Sequence, residues 1–202
     1  MVVADKKKEL IVEGAIKRFS HFGVNKTSMA EIADDLSLSK PALYYYFPDK
    51  LSLIIEVADK ISSTYLDDVE NTFLKTEGLE SALMDLIEIR RNFFQKYFML
   101  HMEEDYSDAY LKDPALVKLM QSIKDREVKI IAQGFQASIS SGELGEIDPI
   151  KTTELLLDTL RGLSSCMRSE KMILPDSATL EQVYRKQKEV AVIFLNGLKN
   201  HS

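Results

Sequence analysis

Three consecutive tyrosines with a lysine on either side are the residues of this chain whose types and spacing most directly suggest a chemistry. On a helix, Tyr44, Tyr45 and Tyr46 point over about 200° of arc, because successive residues are about 100° apart, so they cannot all be buried. Exposed phenol groups beside Lys40 and Lys50 suit contacts with phosphate oxygens and thymine methyl groups. The cluster therefore indicates contact with nucleic acid.

Other residues that could do chemistry predict neither catalysis, nor a metal site, nor a cofactor. The chain has no glycine-rich phosphate loop. Cys166, its single cysteine, lies on an apolar stripe, where a thiol is inert more often than nucleophilic. His101 is followed by adjacent acids that diverge on a helix, and no second His lies at a metal-binding spacing. We therefore expect a protein that is not an enzyme.

The composition favours a protein of the cytoplasm. One cysteine excludes an internal disulfide, no apolar run approaches the ~18 residues of a membrane span, and no signal peptide is evident. The formal net charge of −6 argues, as an average, against nucleic-acid binding, because phosphate neutralisation needs basic residues. However, residues 1–50 carry eight Lys and Arg against seven acids, whereas residues 51–202 carry 18 against 25. The acidic excess therefore lies outside the segment that holds the tyrosines.

Helical periodicity runs through nearly the whole chain, which predicts an all-α fold of about nine helices and no sheet. The first helix covers about residues 5–22, and its apolar face consists of Ile11, Ala15, Phe19 and Phe22. Asp-Pro pairs at 113–114 and 148–149 predict the starts of two later helices. The charged residues between 124 and 129 are interpreted as a solvated helical face.

Two short helices joined by a tight turn follow the first helix, which is the helix-turn-helix arrangement. Ser28 and Glu31 fit a capping box at the start of the first short helix. Ser39 caps the second, which holds the tyrosines and buries Leu43 and Phe47 on one face. In this arrangement the second short helix enters the major groove of DNA.

Residues 5–60 match a known family in residue type, order and spacing. The matching residues are Phe19, Phe22, Gly23, Thr27, Ser28, Met29, Ile32, Ala33, all residues from Leu38 to Phe47, Lys50, Leu51 and Leu53. This segment strongly resembles the N-terminal DNA-binding domain of the TetR family of bacterial transcriptional regulators.

The resemblance implies that nine residues take part in DNA binding. Thr27 and Ser28 would meet phosphate at the start of the first short helix; Lys40, Pro41, Ala42 and Tyr44 would face bases or backbone; Tyr45, Tyr46 and Lys50 would hold phosphates. For Tyr46, packing under the following helix is an equal alternative.

Two positions depart from the family pattern. Ser37 stands between the short helices where the family usually has Gly, and a non-Gly residue takes a left-handed conformation there at some cost. Pro41 replaces a frequent Gly or Thr, which removes one backbone donor.

The last 140 residues resemble the family only in helical architecture. In the family this part binds ligand and forms the dimer. The resemblance thus implies a DNA-binding domain at 1–50 and a ligand-binding and dimerisation domain at 51–202. Aromatic and Met side chains, which form adaptable apolar pockets, concentrate between 93 and 110. The candidate pocket residues are Tyr65, Phe93, Phe94, Tyr97, Phe98, His101 and Met102. Plain core packing is the alternative for each of them.

The last two long helices carry apolar stripes that suit a twofold four-helix interface between two subunits. Gly162 within a helix lowers the stability of that helix by about 1 kcal/mol relative to Ala, and close packing of another helix against the glycine would compensate for this loss. The candidate interface residues are Leu155, Thr159, Gly162, Cys166, Val183, Gln187, Val190 and Phe194. The alternative is that both stripes face the core of their own subunit.

The sequence therefore predicts a homodimeric transcriptional regulator that binds double-stranded operator DNA, with a near-palindromic site read by two recognition helices. We expect a repressor that an apolar or amphipathic small molecule releases from DNA, although repressor and activator are not distinguished. No membrane partner is expected. The alternative function is a helical small-molecule-binding protein with a vestigial DNA-binding domain.

Overall fold

The structure, a computed structural model, describes residues 2–97, 112–168 and 177–200. These residues form eight α-helices with no strand among them, apart from one isolated antiparallel bridge between Leu144 and Lys199. The helices are α1 Val2–Phe22, α2 Met29–Asp35, α3 Lys40–Tyr46, α4 Lys50–Lys75, α5 Leu79–Lys96, α6 Pro114–Ser140, α7 Pro149–Arg168 and α8 Ser177–Asn196. The predicted all-α fold with an N-terminal helix-turn-helix is confirmed.

The chain divides into two compact units, of which the first contains residues 1–65 and 93–123. Its core is built around α1, where Ile11, Ala15 and Phe19 are completely buried. Phe22 was predicted to share this face and does not: it is 47% exposed, and the guanidinium of Arg18 lies 5.0 Å from its ring centroid. Gly23 follows with φ +83°, the left-handed conformation that ends a helix.

The second unit contains residues 66–92 and 124–202. Its fully buried side chains include Phe135 and Ile131 on α6 and Leu156 and Leu157 on α7. The predicted solvated face at 124–129 is wrong for Glu127, which is 5% exposed. Because the protein interior penalises a lone charge, this carboxylate is buried as an ion pair rather than alone.

Arg90 and Arg161 are the partners of Glu127, at N–O distances of 2.7 and 3.1 Å.

Within the described residues, no helix combines the length and the apolar character that crossing a bilayer requires. The domain boundary placed after residue 50 stays a prediction.

Candidate nucleic-acid interface

Helix α2 begins with the capping box that the sequence predicts. The Ser28 hydroxyl accepts a hydrogen bond from the Glu31 backbone N–H at 3.3 Å, while the Ser28 backbone N–H donates to Glu31 Oε2 at 2.7 Å. The Ser28 hydroxyl also donates to Glu31 Oε2 at 2.8 Å. These hydrogen bonds from Ser28, the backbone one first, hold the pKa of Glu31 below its ordinary value. Both Ser28 donors are thus engaged with Glu31, and a DNA phosphate would have to compete for them.

Thr27 lies in the turn before α2 and is 2% exposed. Its hydroxyl donates to the carbonyl oxygen of Gly23 at 2.8 Å, and its backbone N–H donates to the carbonyl oxygen of Val24 at 3.2 Å. This geometry makes Thr27 a residue that closes the turn between α1 and α2. A phosphate contact by its side chain stays a prediction, and the burial of the side chain weighs against it.

The turn between α2 and α3 has the hydrogen bonds of a Schellman motif. Ser37 has φ +53°, its N–H donates to the carbonyl of Asp34 at 3.0 Å, and the N–H of Leu38 donates to the carbonyl of Ala33 at 2.8 Å. Leu38 packs against the core of the unit, as is usual for the residue that follows such a turn. The left-handed conformation expected at Ser37 is therefore present, and it fixes where α3 begins.

Helix α3 is anchored by its apolar side and capped at its start. The Ser39 hydroxyl accepts from the Ala42 backbone N–H at 3.3 Å, and Pro41 lies in the first turn, where a missing N–H costs no helical hydrogen bond. Leu43 and Phe47 are 0% and 2% exposed, as predicted. The opposite side of the helix is consequently held towards solvent.

The three tyrosines of α3 differ in exposure, as their spacing on a helix predicts. Tyr44 is 47% exposed and Tyr45 is 82% exposed. Tyr46 is partly buried against the core, and its ring meets that of Tyr45 edge to face, with centroids 5.1 Å apart. Tyr44 and Tyr45 are therefore the two aromatic side chains of α3 that another molecule can reach most readily.

Lys40 and Lys50 frame α3 at its start and just beyond its end. Lys40 is exposed, whereas Lys50 is half-buried at the start of α4. Asp49 caps α4, because its Oδ1 accepts from the Ser52 N–H at 2.7 Å. The Asp49 carboxylate thus occupies one of the free N–H groups at the start of α4, so Lys50 itself is the main positive feature at this helix start.

Arg18 is a residue of this region that the sequence analysis missed. Its Nη2 lies 2.9 Å from Glu31 Oε1, and its Nη1 lies 2.6 Å from Asp35 Oδ2, which joins α1 to α2. The hydrogen bond to Asp35 is the main cause of a raised pKa for Arg18. The i, i+4 spacing of Glu31 and Asp35 was visible in the sequence, but their partner lies on another helix.

Three of the four described candidate pocket residues pack as an aromatic cluster in the first unit. The ring centroids of Tyr65 and Phe93 are 5.0 Å apart, and those of Phe93 and Tyr97 are 4.9 Å apart. Tyr97 belongs to the same buried cluster as Phe19 of α1. Core packing therefore accounts for these three residues, and Phe94 is half-buried. Phe98, His101 and Met102 lie outside the described residues, and the pocket stays a prediction.

The candidate dimer residues fall into two groups. On α7, Leu155 is 60% exposed, Thr159 is exposed, and a side chain placed at Gly162 would meet open space. On α8, Val183 and Gln187 are buried in the subunit itself, which weighs against an interface role for them, and their place in the interface stays a prediction. The remaining candidates are Val190 and Phe194, which are half-buried, and Cys166, whose side chain lies outside the described part.

Gln187 is buried because it joins the two helices. Its Nε2 donates to the Leu160 carbonyl at 2.8 Å and to the Ser164 hydroxyl at 3.0 Å. The exposed side of α8 carries Ile193, which is 71% exposed and which the sequence analysis did not single out. Ile193 lies on the same helix as the predicted stripe but on a different face.

Comparison with known proteins gives consistent similarities. The model of the family described as bacterial regulatory proteins, tetR family, matches residues 11–57. The HTH-type transcriptional regulator RutR of Escherichia coli O157:H7 is 30% identical over 146 residues, which are 71% of this chain and 66% of RutR. The chain therefore matches just under two thirds of the length of that relative.

Solved structures extend the similarity over nearly the whole chain. A transcriptional regulator from Cytophaga hutchinsonii ATCC 33406 is 29% identical with a TM-score of 0.83, and the match covers 96% of this chain and 99% of that chain. A regulator from Saccharomonospora viridis, solved in complex with choline, is 16% identical with a TM-score of 0.72, covering 92% and 95% of the two chains. The second likeness concerns the fold alone.

Proposed function

Because the chain belongs to the tetR family of bacterial regulatory proteins, we propose that it is a transcriptional regulator that binds a near-palindromic operator as a homodimer. The observation that carries this proposal is α3, which buries Leu43 and Phe47 and exposes Tyr44 and Tyr45 beside Lys40. Such a helix offers phenol donors and positive charge to a major groove and its phosphates.

Binding to the DNA upstream of its own gene tests this function. Fluorescence anisotropy with a labelled duplex, at two or more salt concentrations, should show specific binding by the native protein. Tyr44→Ala and Lys50→Ala should each weaken it about tenfold, and Lys50→Ala should also reduce the salt slope by about one unit. Lys75→Ala, at the exposed end of α4, is the matched control and should bind like the native protein.

Each alternative outcome has a definite meaning. Native binding with unaltered affinity in both variants would overturn the role of α3. No specific binding to any fragment of the upstream region would instead favour the alternative, a helical small-molecule-binding protein with a vestigial DNA-binding domain.

We place the dimer interface on the exposed sides of α7 and α8. Leu155 and Ile193 are large apolar side chains that water surrounds in the single chain, and Gly162 leaves room for a second helix. A second copy related by a twofold axis would cover the same residues on both subunits. Leu155→Glu combined with Ile193→Lys should therefore give a monomer in sedimentation equilibrium. Leu74→Glu, a change at a 75% exposed leucine of α4, should leave the dimer intact.

Release by a small-molecule ligand completes the proposal. Ligand-controlled release requires that the ligand bind the DNA-free conformation more tightly than the DNA-bound one. We propose an apolar or amphipathic ligand in the part of the chain after residue 50. A panel of such compounds, screened by thermal shift and then by displacement of the labelled duplex, tests this. Compounds that raise the melting temperature and never displace DNA would contradict it.

A further inference from the structure

Helix α2, the first helix of the helix-turn-helix motif, is strongly acidic. Its seven residues include three acids, Glu31, Asp34 and Asp35, and no basic residue. In DNA complexes of this motif the first helix crosses the phosphate backbone. Three carboxylates at that place would repel the phosphates, and the repulsion would act over about 10 Å at ~0.1 M salt.

Two of these three charges are paired with a single side chain from α1. Arg18 reaches Glu31 Oε1 at 2.9 Å and Asp35 Oδ2 at 2.6 Å, so its guanidinium spans one turn of α2. Only 16% of the Arg18 side chain is exposed, against 44% and 48% for the two acids. The guanidinium also lies over the Phe22 ring. These contacts direct both Nη groups of Arg18 to α2 and hold the side chain in place, while its buried Nε has no hydrogen-bond partner among the described residues.

We propose that Arg18 is a charge-compensating residue for operator binding: it neutralises Glu31 and Asp35 so that the acidic helix α2 can lie against DNA phosphates. Arg18 acts through α2 and does not itself contact DNA. This inference rests on the proposed function. It differs from a purely mechanical role, in which the ion pairs matter only because they hold α2 against α1.

A mutant cycle with neutral replacements separates these roles. Arg18→Met should weaken operator binding about tenfold at ~0.1 M salt, and less at higher salt, where the repulsion is screened. The Glu31→Gln, Asp35→Asn double variant should bind at least as tightly as the native protein, since Gln preserves the capping box. In that neutral background, Arg18→Met should have no effect on the affinity.

The control variant is Lys60→Met, which removes another ion pair of α1, that between Lys60 and Glu9 at 3.0 Å, without changing the charge of α2. It should bind like the native protein. Melting temperatures of all variants show that each is folded at the temperature of the binding assay.

Other outcomes overturn the inference. Equal losses from Arg18→Met in both backgrounds would mean that Arg18 contacts DNA directly. Weakened binding by the Glu31→Gln, Asp35→Asn variant would mean that the ion pairs act mechanically. An unchanged affinity of Arg18→Met, with Tyr44→Ala still weakening binding, would refute the inference and leave the proposed function standing. Absence of native binding would refute the function itself.

Discussion

At the scale of single residues, Ser37 is the position where the sequence and the backbone conflict. Its φ of +53° places a side chain in the left-handed region, which costs a non-Gly residue about 1 kcal/mol or more. The conformation persists because the N–H groups of Ser37 and Leu38 close the end of α2 and Leu38 packs into the core. The conflict was visible in the sequence, because the family usually has Gly at this position.

Replacing Ser37 by Gly should therefore stabilise the protein. We expect the Ser37→Gly variant to raise the free energy of unfolding by about 1 kcal/mol, because the turn no longer strains a Cβ atom. Urea denaturation followed by circular dichroism measures this change. Ser122→Gly, at an exposed position within α6, is the control and should lower the free energy by about 0.5 to 1 kcal/mol. A destabilised Ser37→Gly variant would mean that the serine side chain makes a favourable contribution there.

At the scale of elements, the starts of helices were predictable because their signals are local. Asp113 Oδ1 accepts from the backbone N–H groups of Ala115 and Leu116 at 2.9 and 3.3 Å. Asp148 Oδ1 accepts from those of Ile150 and Lys151, both at 3.1 Å. Each cap involves residues within three positions, so the Asp-Pro pairs alone identify where α6 and α7 begin.

Which part of the molecule packs against an apolar helix face was harder to predict from the sequence. The periodicity correctly places Val183 and Gln187 on one side of α8, but it does not say whether that side meets its own subunit or another one. The structure assigns it to the subunit, through the hydrogen bonds from Gln187 to α7. Phe22 shows the same limit in α1: its spacing fits the apolar face, yet the chain turns at Gly23 and leaves its ring beside Arg18.

Glu127 is the clearest case in which a charged residue depends on partners far away in the sequence. Its two carboxylate oxygens bind Arg90 of α5 and Arg161 of α7, so one buried side chain of α6 links three helices. Nothing within a few residues of Glu127 distinguishes it from its exposed neighbours, so sequence periodicity alone could not place it inside.

Neutralising this carboxylate should destabilise the second unit. Glu127→Gln removes the buried negative charge that Arg90 and Arg161 share, which should lower the free energy of unfolding by about 3 kcal/mol. Denaturation by urea gives this value. Glu189→Gln, at an exposed ion pair with Arg185 at 3.8 Å, is the control and should change it by less than about 0.5 kcal/mol. Equal effects of the two substitutions would show that burial of Glu127 carries no energetic weight.

At the scale of the whole molecule, the net charge of −6 is an average over segments with different charge balances. The first 50 residues are nearly balanced, so under the proposed function few cations are available to DNA, and we expect their placement on α3 and at the start of α4 to matter more than bulk attraction. The acidic excess lies in the rest of the chain, where it opposes non-specific contact with DNA. Many of the acids there are held in ion pairs, which links their protonation to the stability of the fold.

The stability of the protein should therefore fall in acid. The pKa of Glu88 lies below its ordinary value mainly because Lys188 donates a hydrogen bond to it, and backbone N–H groups lower the pKa values of Glu31 and Asp148. A carboxylate with a lower pKa in the folded state adds stability above its unfolded pKa and loses it as the pH falls through the folded value. The melting temperature should thus be steady near neutral pH and decline below about pH 4.5, the ordinary value for Glu.

Two variants of one ion pair test this explanation of the acid decline. Glu88→Gln removes the titrating carboxylate, whereas Lys188→Met removes the donor whose hydrogen bond lowers the pKa of Glu88. Both should therefore lower the melting temperature at pH 7 and make its fall between pH 5 and pH 3 shallower than in the native protein. Scanning calorimetry across this range measures both effects. A native melting temperature that stays constant from pH 6 to pH 3 would contradict the linkage, because the folded and unfolded states would then bind protons equally.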